Sequence, residues 1–159
     1  MAKWGEDVNF GCIQTQGEYK LFIGTEIAKA NNQKFQLPAR YLAEGGNGWV
    51  LTLGFEKNML LVPSESFFAL EASLRSMNIL NPAARLLQRL LVGNANLVVA
   101  NANGEIELPA LANFGDEVVL VGQGMYLEVW SANAWAEQMN TITSGSLQFD
   151  PSISICFGN

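Results

Sequence analysis

The residues with chemical potential in this chain are few, and most of them are acidic. Glu105 and Glu107 alternate as on one face of a strand, and Asp116 adjoins Glu117, spacings that paired-carboxylate acid–base catalysis could use. No cluster of aromatic, Asn and Arg residues accompanies either pair to position a substrate, so both read as solvated carboxylates. Histidine is absent. That removes the commonest general base, every imidazole zinc site, and the Ser-His-Asp and Cys-His arrangements. Cys12 and Cys156 are too few for a four-thiolate metal site, and a cytosolic pair is expected to be reduced and packed rather than bridged. The segment GQGMY at 122–126 starts like a dinucleotide loop, but a third glycine is missing and a strand follows instead of a helix. It reads as a hairpin turn. The chain is therefore expected to be no enzyme and to use no cofactor or metal.

Composition bounds what the rest can be. Apolar residues make up 49% and charged residues 15% of the 159 residues, which excludes a disordered polymer and leaves less charged surface than an average soluble domain carries. Some apolar surface is expected to face a partner copy. No stretch approaches the ~18 uninterrupted apolar residues of a membrane span, and the start MAKWGEDVNF lacks the apolar core of a secretory signal, so the cytoplasm is the expected location. Charge is divided unevenly. Residues 1–92 hold all nine Lys and Arg residues beside eight acids, whereas residues 93–159 hold seven acids and no base.

The elements that must position these residues occur twice. KFQLPA at 34–39 matches EIELPA at 105–110, and further matches follow in the same order. VLTLG at 50–54 and MLLVPS at 59–64 lead into ESFFAL, and VVLVG at 118–122 and YLEVWS at 126–131 lead into ANAWAE. The β-branched and aromatic runs predict strands, with Gly- and Asn-containing hairpin turns between them. Ser64 and Ser131 stand as N-caps of one helix per unit, with apolar stripes Phe67, Leu70, Leu74, Met77 and Ala132, Trp135, Met139. Between the units, NPAARLLQRLLVG predicts a linker helix capped by Asn81, started by Pro82 and ended near Gly93.

This organisation divides the chain into an N-terminal arm (1–18), a first repeat (19–80), a linker helix (81–93), a second repeat (94–140) and a tail (141–159). In the tail Ile153, Ile155 and Phe157 alternate with Ser152, Ser154 and Cys156, the period of a half-buried strand. Such a strand is a self-association element, covering its own sheet edge or adding to a neighbour's. The fold class expected is α+β, with two hairpin-and-helix repeats intertwined into a small barrel and joined by a helical linker.

Over residues 19–139 the repeats, the linker NPAARLLQRLLVGNA and the ending VVLVGQGMYLEVWSANAWAEQM resemble the MraZ family, relatives of AbrB-type swapped-hairpin proteins. The resemblance implies a ring of eight or more subunits, with an Asp-x-x-Arg type turn ahead of each Leu-Pro-Ala segment gripping DNA. Here those turn positions hold Asn31, Gln33 and Lys34 in the first repeat and Asn101, Gly104 and Glu105 in the second. Arginine's planar fork donates two bonds to a guanine edge or a phosphate; lysine is a point charge, and glutamate repels the DNA backbone. The second turn thus reads as degenerate, and DNA contact is assigned to Lys29, Asn31, Lys34 and Arg40, weakened by the acidic charge. The expectation is a homo-oligomeric, divergent DNA-binding regulator. Its alternatives are a scaffold that keeps the ring core and has lost the DNA face, and an adaptor whose acidic half binds a basic partner.

Overall fold

A strand covered on both faces reads as a continuous apolar run, and one covered on a single face alternates. Both kinds occur here, in a computed structural model that describes residues 21–46, 48–109 and 114–145. The N-terminal arm, Cys12, Cys156 and the alternating Ile153, Ile155 and Phe157 lie outside the described residues.

The first repeat comprises β1 (Thr25–Asn31), β2 (Lys34–Gln36), α1 (Ala39–Gly45), β3 (Trp49–Leu53), β4 (Asn58–Pro63) and α2 (Ser64–Ser76). The linker is α3 (Pro82–Leu91). The second repeat comprises β5 (Asn96–Val98), β6 (Glu105–Glu107), β7 (Glu117–Gly122), β8 (Leu127–Ser131) and α4 (Ala132–Thr143). One antiparallel sheet takes the order β5-β3-β4-β8-β7-β1-β2-β6. The repeats exchange partners within it: β1 pairs with β7 of the second repeat, β5 pairs with β3 of the first, and β2 pairs with β6. The sheet curls into a nearly closed, barrel-like body, the α+β swapped-hairpin arrangement expected.

Curling gives the sheet an inside. Phe35, Leu37, Leu51, Leu61, Ile106, Leu108, Val118, Leu120, Leu127 and Val129 fill it, and both Leu-Pro-Ala leucines are among them. On the outside, α2 and α3 cover Val50, Leu60 and Val62 with Phe67, Leu74 and Leu91. α4 covers Val119, Val121 and Trp130, with Trp135 against Trp130 at 5.6 Å between ring centroids. The central strands β3, β4, β7 and β8 are thus buried on both sides, which accounts for their unbroken apolar runs. β1 alternates because its outer face, Ile27 included, is uncovered.

Helix starts follow local chemistry in two cases and depart from it in one. Asn81 Oδ1 accepts from Ala83 N at 2.9 Å with Pro82 at the first helical position, and Ser131 Oγ accepts from Ala134 N at 3.1 Å. Ser64 does not cap: α2 begins at Ser64 itself, after Pro63, and makes no side-chain cap bond there. The stripes are also shorter than their spacing suggests. Phe67 and Leu74 are buried, Met77 lies past the end of α2, and on α4 Ala132 and Met139 stay exposed while Trp135 packs. α1, which follows the first Leu-Pro directly, is a helix the sequence reading lacked. Seven residues are too short for a periodic signal, and α1 rests on its contacts: Tyr41 is buried, and a side chain at Gly45 would overlap the Trp49 indole.

Two ties hold the layers in place. The buried Thr52 hydroxyl donates to Leu91 O at 2.6 Å, fixing the end of the linker helix to β3. Phe22, fully buried, exchanges backbone bonds with Gly124 at 2.8 and 2.9 Å and packs its ring at a tilt against Tyr41 and Trp49. Its carbonyl passes 2.5 Å from where a Cβ on Gly122 would stand, so only glycine admits this crossing. Thr52→Val, which keeps the shape and deletes the donor, is expected to lower stability by about 1–3 kcal/mol. A reduced urea midpoint with an unchanged m-value checks this.

Candidate nucleic-acid interface

Opposed residues of an antiparallel pair share a face, and each step along a strand changes it. The β2–β6 register sets Lys34 opposite Glu107, Phe35 opposite Ile106 and Gln36 opposite Glu105. With Phe35 and Ile106 turned into the barrel, Lys34, Gln36, Glu105 and Glu107 must point out. Asn31 faces Lys34 across the β1–β2 hairpin, and Lys29, two residues back, shares that face and opposes Glu117. The structure therefore gathers Lys29, Asn31 and Lys34 on one exposed surface, and intersperses Glu105, Glu107 and Glu117 among them.

The two turns at its tip differ in length. Asn31 and Lys34 close a two-residue turn in which Asn32 (φ 49°) and Gln33 (φ 63°) both occupy the left-handed region, as a type I′ hairpin requires. Asn101 and Glu105 close a three-residue turn ending on Gly104 (φ 76°), with Asn101 N donating to Glu105 O at 3.0 Å. Asn101 organises it: its Oδ1 accepts from Asn103 N at 2.9 Å and Glu105 N at 3.0 Å, while its Nδ2 donates to Glu105 Oε2 at 2.8 Å. Gln36 Nε2 reaches Asn103 O at 2.6 Å. Each turn is also clipped by the other repeat, since Leu37 N donates to Gly104 O at 3.0 Å and Leu108 N to Gln33 O at 2.7 Å.

Arg40 does not join this surface. Its guanidinium pairs with Glu26 at 2.5 Å, donates to the Tyr41 hydroxyl at 2.7 Å and lies 4.4 Å from the Tyr41 ring centroid. Glu26 points to the face of β1 opposite that of Lys29, so Arg40 is committed to bracing α1 on the first strand. Tyr41 in turn donates to Ile23 O at 3.0 Å. The reason Arg40 stood among the candidates, its proximity in sequence to the first turn, carries no information about the face. Its partner Glu26 carried no spacing signal that could have revealed the pair.

Two intertwined hairpin repeats, clipped to each other through Leu-Pro-Ala segments and each ending in a helix, define a swapped-hairpin barrel protein of the AbrB-like kind. No family model matches the sequence, but pairwise similarity is extensive. The transcriptional regulator MraZ of Nitrosospira multiformis is 36% identical over 126 residues, covering 74% of this chain and 86% of that protein. Those of Herpetosiphon aurantiacus and Thiobacillus denitrificans are 33% and 32% identical, covering 84% and 90% of their own lengths. The chain belongs to the MraZ family. The relatives are named as regulators rather than enzymes, and among the described residues no helix is long and apolar enough to cross a membrane.

The Arg40 brace has a titration signature. Burial holds the Tyr41 hydroxyl above the ordinary phenol range; Arg40 opposes this and Glu26 reinforces it. A phenol that keeps its proton longer when folded contributes stability present below its unfolded value, about 10, and lost as pH rises through the raised folded value. Thermal unfolding above pH ~10 is expected to show a shallower alkaline loss in Tyr41→Phe than in the parent. Some loss persists, because Tyr126 is raised in the same direction by burial and by Glu128.

Proposed function

We propose that the chain is a self-associating, non-enzymatic transcriptional regulator that engages DNA through its first-repeat hairpin, with an affinity reduced by its own glutamates. Lys29, Asn31 and Lys34, together on one exposed face at a projecting turn, carry this reading. Lysines there would contact phosphates and so supply position and affinity, while the Asn31 amide is the group able to read a base edge. The second turn, with Glu105 bonded to Asn101, adds nothing attractive. Assembly into a ring of eight or more copies in the cytoplasm belongs to the same proposal, and repetition of a weak contact around a ring compensates for its weakness. Exposed apolar residues such as Ile27 (69%) and Leu97 (73%), on the outer faces of β1 and β5, are in keeping with contact between copies.

DNA carrying spaced direct repeats is expected to shift with the purified protein at about 50 mM salt, where weak phosphate contacts hold. Lys34→Ala should reduce the salt dependence of that binding, and Glu105→Arg with Glu107→Gln should strengthen it about tenfold or more at the same salt. Absence of any shift by the parent protein at that salt sinks the reading.

A second reading draws on the register that opposes Lys34 to Glu107 and Lys29 to Glu117. If these pairs cancel the attraction, what remains is a scaffold that keeps the assembly core, with terminal arms linking subunits or rings through Ile153, Ile155 and Phe157. Electron microscopy before and after deletion of residues 146–159 tests it. Stacked or joined assemblies that separate on deletion are expected, and identical isolated rings in both samples count against it.

A further inference from the structure

The cations of this chain converge away from the hairpin face. An open groove of about 470 Å³ between α2 and α3 has Leu74, Ile79 and Val92 along its floor and Arg75, Arg85 and Arg89 at its rim, a third of the nine Lys and Arg residues in the chain. Among the described residues a single acid, Glu71, lines the groove with them, and it pairs with Arg75 at 3.3 Å. Arg85 is held in place by donating to Ile79 O at 2.8 Å and Leu80 O at 3.1 Å. The Arg89 side chain makes no hydrogen bond or ion pair among the described residues, while its carbonyl accepts from Asn94 Nδ2 at 2.8 Å. Ile79 remains 66% exposed.

An apolar floor under an arginine rim suits a segment that offers large apolar side chains next to a carboxylate. It does not suit a phosphodiester backbone, which has nothing to place on the floor. The chain carries such a segment beyond the described residues: Leu147, Phe149 and Asp150, in a stretch from 141 to 159 without Lys or Arg. Phe149 and Asp150 follow Gly145, the last described residue, by four and five positions, a reach of up to roughly 17 Å when extended. Val92 and Gly93 at the end of the groove lie just ahead of β5, where Leu97 and, one residue past the strand, Val99 are exposed.

We propose that the α2–α3 groove is the receptor for the C-terminal segment of this chain, with Phe149 on the floor and the Asp150 carboxylate between Arg85 and Arg89. The tail then has a polar anchor. The separation of all bases into the first 92 residues and of acids alone into the rest becomes a device that joins the two ends of the sequence.

A photocrosslinking phenylalanine analogue placed at Phe149 of the full-length chain, with crosslinks mapped by mass spectrometry, tests this. Crosslinks are expected on residues 71–93, lost in R85E/R89E and recovered when D150R is added to that variant. Mixing isotopically labelled and unlabelled chains reports whether the receptor is on the same or a neighbouring copy, and both satisfy the proposal. Crosslinks only to other surfaces, none at all, or a pattern indifferent to R85E/R89E overturn it. Should R85E/R89E lose its native circular dichroism, R89A replaces it, because the Arg89 side chain makes no hydrogen bond or ion pair among the described residues.

Discussion

The pairing of β2 with β6 is the contact on which the rest of this molecule depends. It is three residues long, and it is where the two repeats meet at their shortest strands. Phe35 and Ile106 enter the barrel there completely buried, flanked by the reciprocal bonds from Leu37 to Gly104 and from Leu108 to Gln33. A slip of one residue in either strand would turn Phe35 or Ile106 to solvent and bring Lys34 or Glu107 into the core, a cost no surface ion pair could offset. The register is therefore dictated by burial, and the outward face follows as a by-product.

That by-product governs the chemistry of the surface. Because Phe35 must oppose Ile106, Lys34 must oppose Glu107 and Gln36 must oppose Glu105. Two halves that lie apart along the chain are forced into one charge pattern. The second turn, one residue longer and organised by Asn101, keeps the strand pairing intact while its outward residue is Glu105. The scaffold thus tolerates wide variation in what its turns present, since the turn residues contribute backbone bonds to the clip rather than packed side chains.

The helices repeat this division of labour with one asymmetry. α2 is buttressed by α3, whose end is tied to Thr52 and whose Gln88 Nε2 donates to Leu74 O at 2.8 Å. α4, its counterpart, has no buried residue and no helix laid against it among the described residues. The linker that separates the repeats in sequence therefore packs chiefly on the first repeat, with Ala95 and Tyr126 of the second at the same cluster, and it creates the arginine-lined groove in doing so.

Much of this was legible in the residues themselves. The duplication, the hairpins, the linker helix with Asn81 and Pro82, and the Ser131 cap all arise from interactions between residues close in sequence, so spacing alone reports them. Ser64 resembled Ser131 locally, yet α2 starts one residue earlier relative to it and the hydroxyl is not used. α1 stayed hidden because a seven-residue helix draws its stability from Tyr41 and the Trp49 ring above Gly45, not from its own pattern. Arg40 is a surface cation, but that β1 pairs it with Glu26 was not legible in the spacing. Sequence by itself determined the family of the fold and the uneven charge. Only the tertiary structure decided which charges face one another, because strand partners across the two repeats are set by the burial of Phe35 and Ile106, some 70 residues apart.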